Sequence, residues 1–216
     1  MPEPFVVAFV PGVTPAKWAR VWAERMPGVP LQLRPASESE AVDSVRNGSA
    51  AVALLRLPVV GEGLSVIPLY NETAVVVVPK DHPIADAETV VLADLTEENL
   101  LNGQDAATVE LVAAGAGLAV MPQSLARLHS RKDVVANPVI DAPVTRIGLV
   151  WPADRTTALV EEFTGIVRGR TAKSSRGMAE AVRNPPRPAR KQKSQPHKSA
   201  GRSAKRTPHK RTRGAN

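Results

Sequence analysis

An α/β fold that opens on a parallel sheet is predicted by three observations. The first fifty-five residues alternate strand, helix, strand, helix, strand. Two more apolar runs of strand length, residues 64–69 and 73–78, follow with only Tyr70-Asn71-Glu72 between them. A break in charge near residue 171 then ends the part of the chain that can build a core. Residues 1–170 carry 14 Lys/Arg against 20 Asp/Glu, whereas residues 171–216 carry 14 Lys/Arg against one acid, Glu180. The formal net charge of +7 describes neither part.

These totals bound the class. About 170 residues suffice for one domain or for two small lobes. The last segment is rich in Lys, Arg, Pro, Ser and Gly, and such a composition buries too little apolar surface to offset the entropy of ordering. Residues 171–216 are therefore expected to be a disordered basic tail. The sequence contains no cysteine, which excludes a disulfide framework, a thiolate metal site and a cysteine nucleophile. Met1-Pro2-Glu3-Pro4 lacks the basic and apolar regions of a secretory signal. The longest apolar runs are far short of a membrane span. A soluble cytoplasmic protein is the expectation.

Each element has a local reason. Residues 5–10 are continuously apolar and rich in β-branched side chains, which suits a strand buried on both faces. Pro11-Gly12 breaks the strand. Thr14 is placed to cap a helix with Pro15 at its first position, where a missing amide hydrogen costs nothing. That helix should reach about Met26 and stop before Pro27-Gly28. Trp18 and Trp22, four apart, share one face and need covering by the sheet or by another subunit. Residues 31–34 form a short strand. Ser37 and Glu40 make the capping-box pattern for a helix that Asn47-Gly48 stops. Residues 51–55 are again strand-like, so a right-handed crossover gives a parallel sheet with helices on its faces. Residues 79–83 read as a turn and 90–92 as a short extended piece. A helix over about 107–113 ends in Gly115 and Gly117. Residues 118–121 form a strand, Pro122 opens a short helix over 123–128, and 134–135 and 146–151 are the last strands. A final helix over about 157–167 opens with Thr156 as cap and carries Leu159, Val160, Phe163 and Val167 on one face.

Several motifs, in order, resemble a known family. Leu69-Tyr70-Asn71-Glu72, the strand over 75–78 and Pro79-Lys80-Asp81-His82-Pro83-Ile84-Ala85 are similar to the crossing between lobes in the effector-binding domain of LysR-type transcriptional regulators. Leu111-Val112-Ala113-Ala114-Gly115-Ala116-Gly117-Leu118-Ala119-Val120-Met121-Pro122 and the following Ser124-Leu125-Ala126-Arg127-Leu128 resemble its second-lobe helix and strand. Ala41-Val42-Asp43-Ser44-Val45-Arg46-Asn47-Gly48 before an apolar strand resembles its first lobe. The resemblance covers residues 5–168. It implies a two-lobed fold like periplasmic binding proteins of the second type, with lobe 1 over about 5–70, lobe 2 over about 75–145 and a return to lobe 1 over 146–168. It also implies a small effector between the lobes, often a carboxylate. The sequence departs from the pattern twice. No N-terminal helix-turn-helix precedes the first strand, and residues 96–107 are too few for the strand–helix–strand expected there, so a shortened second lobe is predicted.

The candidate ligand contacts follow from the strand ends. Thr14 and Ser37 stand at successive strand-to-helix turns, where unpaired amides favour an anion and where open α/β sheets bind ligands. Capping alone is the simpler explanation of both residues, and it does not exclude a ligand role. Arg56 ends a core strand and can grip a carboxylate bidentately or remain a solvated charge. Glu72 and Thr73 lie at the crossing, adjacent to a cleft or simply in a hinge. The resemblance implies an antiparallel homodimer in which residues 15–26 meet residues 107–114 of a partner, with Trp18, Trp22, Ala113 and Ala114 at the seam; the tryptophans serve as ordinary core residues otherwise.

No catalytic, cofactor or metal set emerges. His82 lies in a Pro-bounded turn, Ser124 lacks a nucleophile-elbow glycine pattern, and no spacing gathers metal ligands. Gly115 and Gly117 stand between a helix and a strand, the reverse of a dinucleotide loop. In the tail, Arg187, Arg190, Lys191 and Lys193, then Lys205, Arg206, Lys210, Arg211 and Arg213, form basic clusters suited to non-specific DNA or RNA contact by counterion release. The reading is a stand-alone domain that binds a small, anionic metabolite in transcriptional regulation. Its rival is an interaction module with a degenerate pocket that acts through dimerisation and the tail.

Overall fold

The structure, a computed structural model, describes residues 3–170 except Val60. The tail and its nine basic candidates lie outside the described residues. Two sheets organise the chain. The larger has strand order β2-β1-β3-β8-β4, built from β1 (Phe5–Phe9), β2 (Leu31–Pro35), β3 (Val52–Leu57), β4 (Leu64–Glu72) and β8 (Thr145–Pro152). The smaller has order β6-β5-β7, from β5 (Ala74–Pro79), β6 (Ala119–Pro122) and β7 (Val134–Pro138).

The opening alternation gives the parallel part of the large sheet. β1 pairs in parallel with both β2 and β3, and α1 (Ala16–Arg25) and α2 (Glu38–Asn47) make the crossovers. β8 returns from the smaller sheet and inserts antiparallel between β3 and β4. The covering helices bring aromatic rings together. Trp22 of α1 stacks on Phe5 of β1 at 4.6 Å between centroids and meets Phe163 of α5 (Ala158–Val167) edge-on at 5.9 Å. Its indole N–H donates to the Val29 carbonyl at 2.9 Å, so the burial leaves no unpaired donor. Arg25 and Glu162, 3.1 Å apart, tie the same two helices.

β5 shows why a strand can be apolar at consecutive positions. Val75 and Val77 face α3 (Ala106–Ala113) and α4 (Gln123–Leu128) in one cluster with Val109, Val112 and Leu125. Val76 and Val78 face the other way, into a cluster with Val90, Leu95, Leu118 and Val139. Both faces are covered, so alternation with polar residues disappears. None of these residues belongs to the core of the large sheet. The fold is therefore two-lobed. Beside β6, Leu100 makes an isolated parallel bridge to Leu118.

The chain crosses between lobes twice, and the crossings run side by side. β4 ends at Glu72, Thr73 is the one residue between, and β5 begins at Ala74. On the return, Glu72 pairs with Thr145 and the Val139 amide donates to the Ala74 carbonyl at 2.9 Å.

Two caps differ from expectation by one residue. Pro15, not Thr14, is the N-cap of α1, and no side chain caps that helix. At α5, Thr157 caps by accepting from the Val160 amide, while Thr156 accepts from the Trp151 indole at 2.9 Å. Ser37 caps α2 as expected: its hydroxyl accepts from the Glu40 amide, and the Glu40 carboxylate accepts from the Ser37 amide. The Ser37 amide, and then the Ser37 hydroxyl, donate to the Glu40 carboxylate and hold it below the ordinary glutamate range.

Candidate functional site

The ends of β1, β4 and the crossing converge with the start of α4 around a cavity of about 410 Å³ between the lobes. Gly12, Thr14, Lys17 and Trp18 line it from the β1–α1 turn, Tyr70 to Thr73 from the crossing, and Gln123, Ser124 and Arg127 from the second lobe. An adjoining cavity of about 560 Å³ shares Gly12, Thr14, Ser124 and Arg127. It continues toward Phe9, Pro11, Val13, Pro35 and Leu128. The cleft is thus polar at one end and largely apolar at the other, the usual character of a small-molecule site.

The two strand-to-helix turns prove unlike. At α2 the Ser37 and Glu40 amides already have side-chain partners, and Glu38 and Glu40 place two acids in the first turn. Negative charge from the chain itself already complements that helix end. Ser37 lines neither cavity. At α1 no acid stands in the first turn and no side chain caps it. Thr14 lines both cavities, beside the uncapped helix end. Of the two turns, that of α1 is the one at the cleft with an uncapped, acid-free helix start, the kind of helix end that suits an anion.

Arg56 is neither solvated nor open to the cleft. Its side chain is 10% exposed, and its Nε and Nη2 donate to the two carboxylate oxygens of Glu72 at 2.9 and 3.3 Å. Nη2 also reaches the Pro11 carbonyl at 3.1 Å and the Ser124 hydroxyl at 3.3 Å, and Nη1 lies 3.9 Å from Glu38. The Ser124 hydroxyl donates to Glu72 in turn. Glu72, 4% exposed at its side chain, is therefore paired from both lobes. Burial, and then the Glu72 carboxylate, push the Tyr70 hydroxyl up from its usual value, with Arg56 pulling the other way. Tyr70 is thus a neutral hydrogen-bond donor on the cavity wall. Thr73 lines the cavity and its carbonyl accepts from the Gln123 amide at 2.8 Å.

Of the ligand contacts expected from the sequence, only Thr14, Glu72 and Thr73 line this cavity; Lys17, Tyr70, Ser124 and Arg127 are among the lining residues that sequence reasoning missed as contacts. Lys17 sits over the Trp18 ring at 4.7 Å. The i, i+3 step from Ser124 to Arg127 on α4 is the one local sign that both face the same space. Of the proposed seam residues, Trp22 is 1% exposed within its own lobe and Trp18 is 7% exposed. On α3, Ala113 is half-buried and Ala114 exposed, beside Leu111 at 51% exposure. Among the described residues no group of three or more His, Asp or Glu is placed to hold a metal ion. Among the same residues, no helix is long and apolar enough to cross a membrane.

Comparison with known proteins gives one consistent picture. The sequence model of the LysR substrate binding domain matches residues 7–108 and 102–172. A probable hydrogen peroxide-inducible genes activator of Mycobacterium avium is 29% identical over 173 residues, 66% of this chain and 55% of the relative. The Hca operon transcriptional activator HcaR of Escherichia coli is 22% identical over 179 residues, 68% of this chain and 60% of the relative. The chain spans just over half the length of these curated relatives. Among solved structures, the BenM effector binding domain with its effector benzoate superposes with a TM-score of 0.67 at 17% identity, covering 85% of this chain and 96% of that one. A Corynebacterium glutamicum OxyR C206 mutant gives 0.65 at 24% identity, covering 84% and 66%. These likenesses show the two-lobed, periplasmic-binding-protein type 2-like fold.

Proposed function

Since the chain belongs to the LysR substrate-binding domain family, we propose that it captures a small anionic metabolite between its two lobes and serves transcriptional regulation in the cytoplasm. The observation that carries this reading is the cavity lined from both lobes by Thr14, Tyr70, Thr73 and Ser124, with Lys17 and Arg127 as its cations. The acid group would sit near Lys17, Arg127 and the uncapped start of α1. Its apolar body would extend toward Phe9, Val13, Pro35 and Leu128, which line the adjoining space. Thr14, Tyr70 and Thr73 would supply neutral hydrogen bonds; Arg56 and Glu72 would shape the floor, and Ser37 would act only as a cap. Several relatives are named as hydrogen peroxide-inducible genes activators, but the sequence has no cysteine. Thiol oxidation is therefore not available within it.

Binding in the native state alone raises the melting temperature by linkage. A panel of small organic acids should yield at least one that stabilises the protein, and Thr14→Val should weaken that response. A panel without any stabilising acid would contradict the proposal. Exposed Leu111 and Ala114 on α3, with half-buried Ala113 between them, support a two-fold dimer in which that face covers Trp18 and α1 of a partner.

A further inference from the structure

We propose that Glu72 occupies, from within the chain, an anion seat that Arg56 and Ser124 form at the floor of the cleft. The inference deepens the ligand-binding reading, because it states which charge the cleft accepts and where. The Arg56 side chain is only 10% exposed, and a guanidinium with its Nε and one Nη aimed together is a bidentate carboxylate receptor. Glu72 fills that receptor with both oxygens, at 2.9 and 3.3 Å. The Ser124 hydroxyl, from the other lobe, completes the shell around the same carboxylate. The fit is close on the Gly12 side: a Cβ built there would lie 2.6 Å from the Ser124 hydroxyl and 3.1 Å from Arg56 Nη2.

The consequence is a selection by charge. Glu72 and Ser124 line the cavity, whereas Arg56 stands one side chain behind them. A ligand carboxylate that reaches the floor therefore meets another carboxylate rather than the guanidinium, and like charges at contact distance oppose each other. The cations left to a ligand are Lys17 and Arg127 on the walls. One negative charge placed there is favoured and a second at the floor is not. The cleft is thereby a receptor for monoanions that present no second charge to the floor, and Glu72 is the residue that determines this.

Melting temperatures of the full chain test the seat, with acetate as the probe. Glu72→Ala should lower the melting temperature, and acetate should restore most of the loss. In the original protein, and in the Glu72→Ala/Arg56→Met double variant, the shift with acetate should be far smaller than this rescue. No rescue, or equal rescue in the double variant, would overturn the proposal. Glu72→Gln keeps the side-chain shape and serves as the folded companion. It should shift the ratio of phthalate to benzoate affinity toward the dianion by about tenfold, or 1.4 kcal/mol. An unchanged ratio would also overturn it. If the original protein binds no small acid at all, the ligand-binding reading fails, while acetate still decides whether Glu72 fills the seat.

Discussion

At the scale of single residues, two hydroxyls in matching positions do different work. Ser37 is engaged by the Glu40 amide and carboxylate, whereas Thr14 faces the cleft beside a helix that Pro15 begins. Ser37→Ala should therefore cost about 1 kcal/mol of stability, the usual worth of an N-cap, and leave acid binding unchanged. Thr14→Val should do the reverse, holding stability within about 0.5 kcal/mol as an exposed substitution does while weakening binding. Urea unfolding and the acid-induced melting shift separate the two. Trp22→Ala removes a stacked and hydrogen-bonded core ring and should cost about 3–5 kcal/mol by the same unfolding measurement. The sequence showed that all these positions mattered but not how they were used. Serine with glutamate three residues on is a local pattern with a local partner. Arg56, Glu72 and Ser124 meet across 16 and 68 residues of chain, and no spacing rule announces such a meeting.

Elements were legible where their cause is local, and displaced where a distant contact decides. The capping box, the αL glycine Gly48 after α2 and the short helix after Pro122 stand where turn and cap chemistry put them. The two misplaced caps have specific reasons. Pro15 takes the cap position itself, with φ of −79°, so Thr14 is left one residue too early to cap. Thr156 is drawn to the Trp151 indole, which passes the capping role to Thr157. The α2 box also carries a pH signature. The hydrogen bonds from Ser37 lower the Glu40 pKa in the folded state. The stability they give is present above the ordinary glutamate range and is lost as the pH falls through the lowered folded value. Acid titration of unfolding should show this loss in the original protein and a smaller one in Ser37→Ala.

At the scale of the whole molecule, charge and shape are separated along the chain. The first 170 residues are net acidic and build both lobes, while residues 171–216 hold half of the Lys and Arg. Truncation after Arg170 is expected to abolish salt-sensitive retention on duplex DNA, since phosphate binding by counterion release follows the number of cations brought to it. Retention that survives truncation would place the basic surface on the lobes. The division into two lobes was legible through the resemblance of ordered motifs rather than through any periodicity, because a strand leaving one sheet for another at Thr73 looks like any other strand. The cleft is what that crossing creates, and its occupancy is the centre of the account. A crystal structure of the protein grown with the most stabilising acid of the panel is the direct measurement. The account predicts density between Thr14, Tyr70 and Ser124, with the acid group near Lys17 and Arg127. The same acid bound outside the cleft, or a cleft closed by the protein's own side chains, would contradict it.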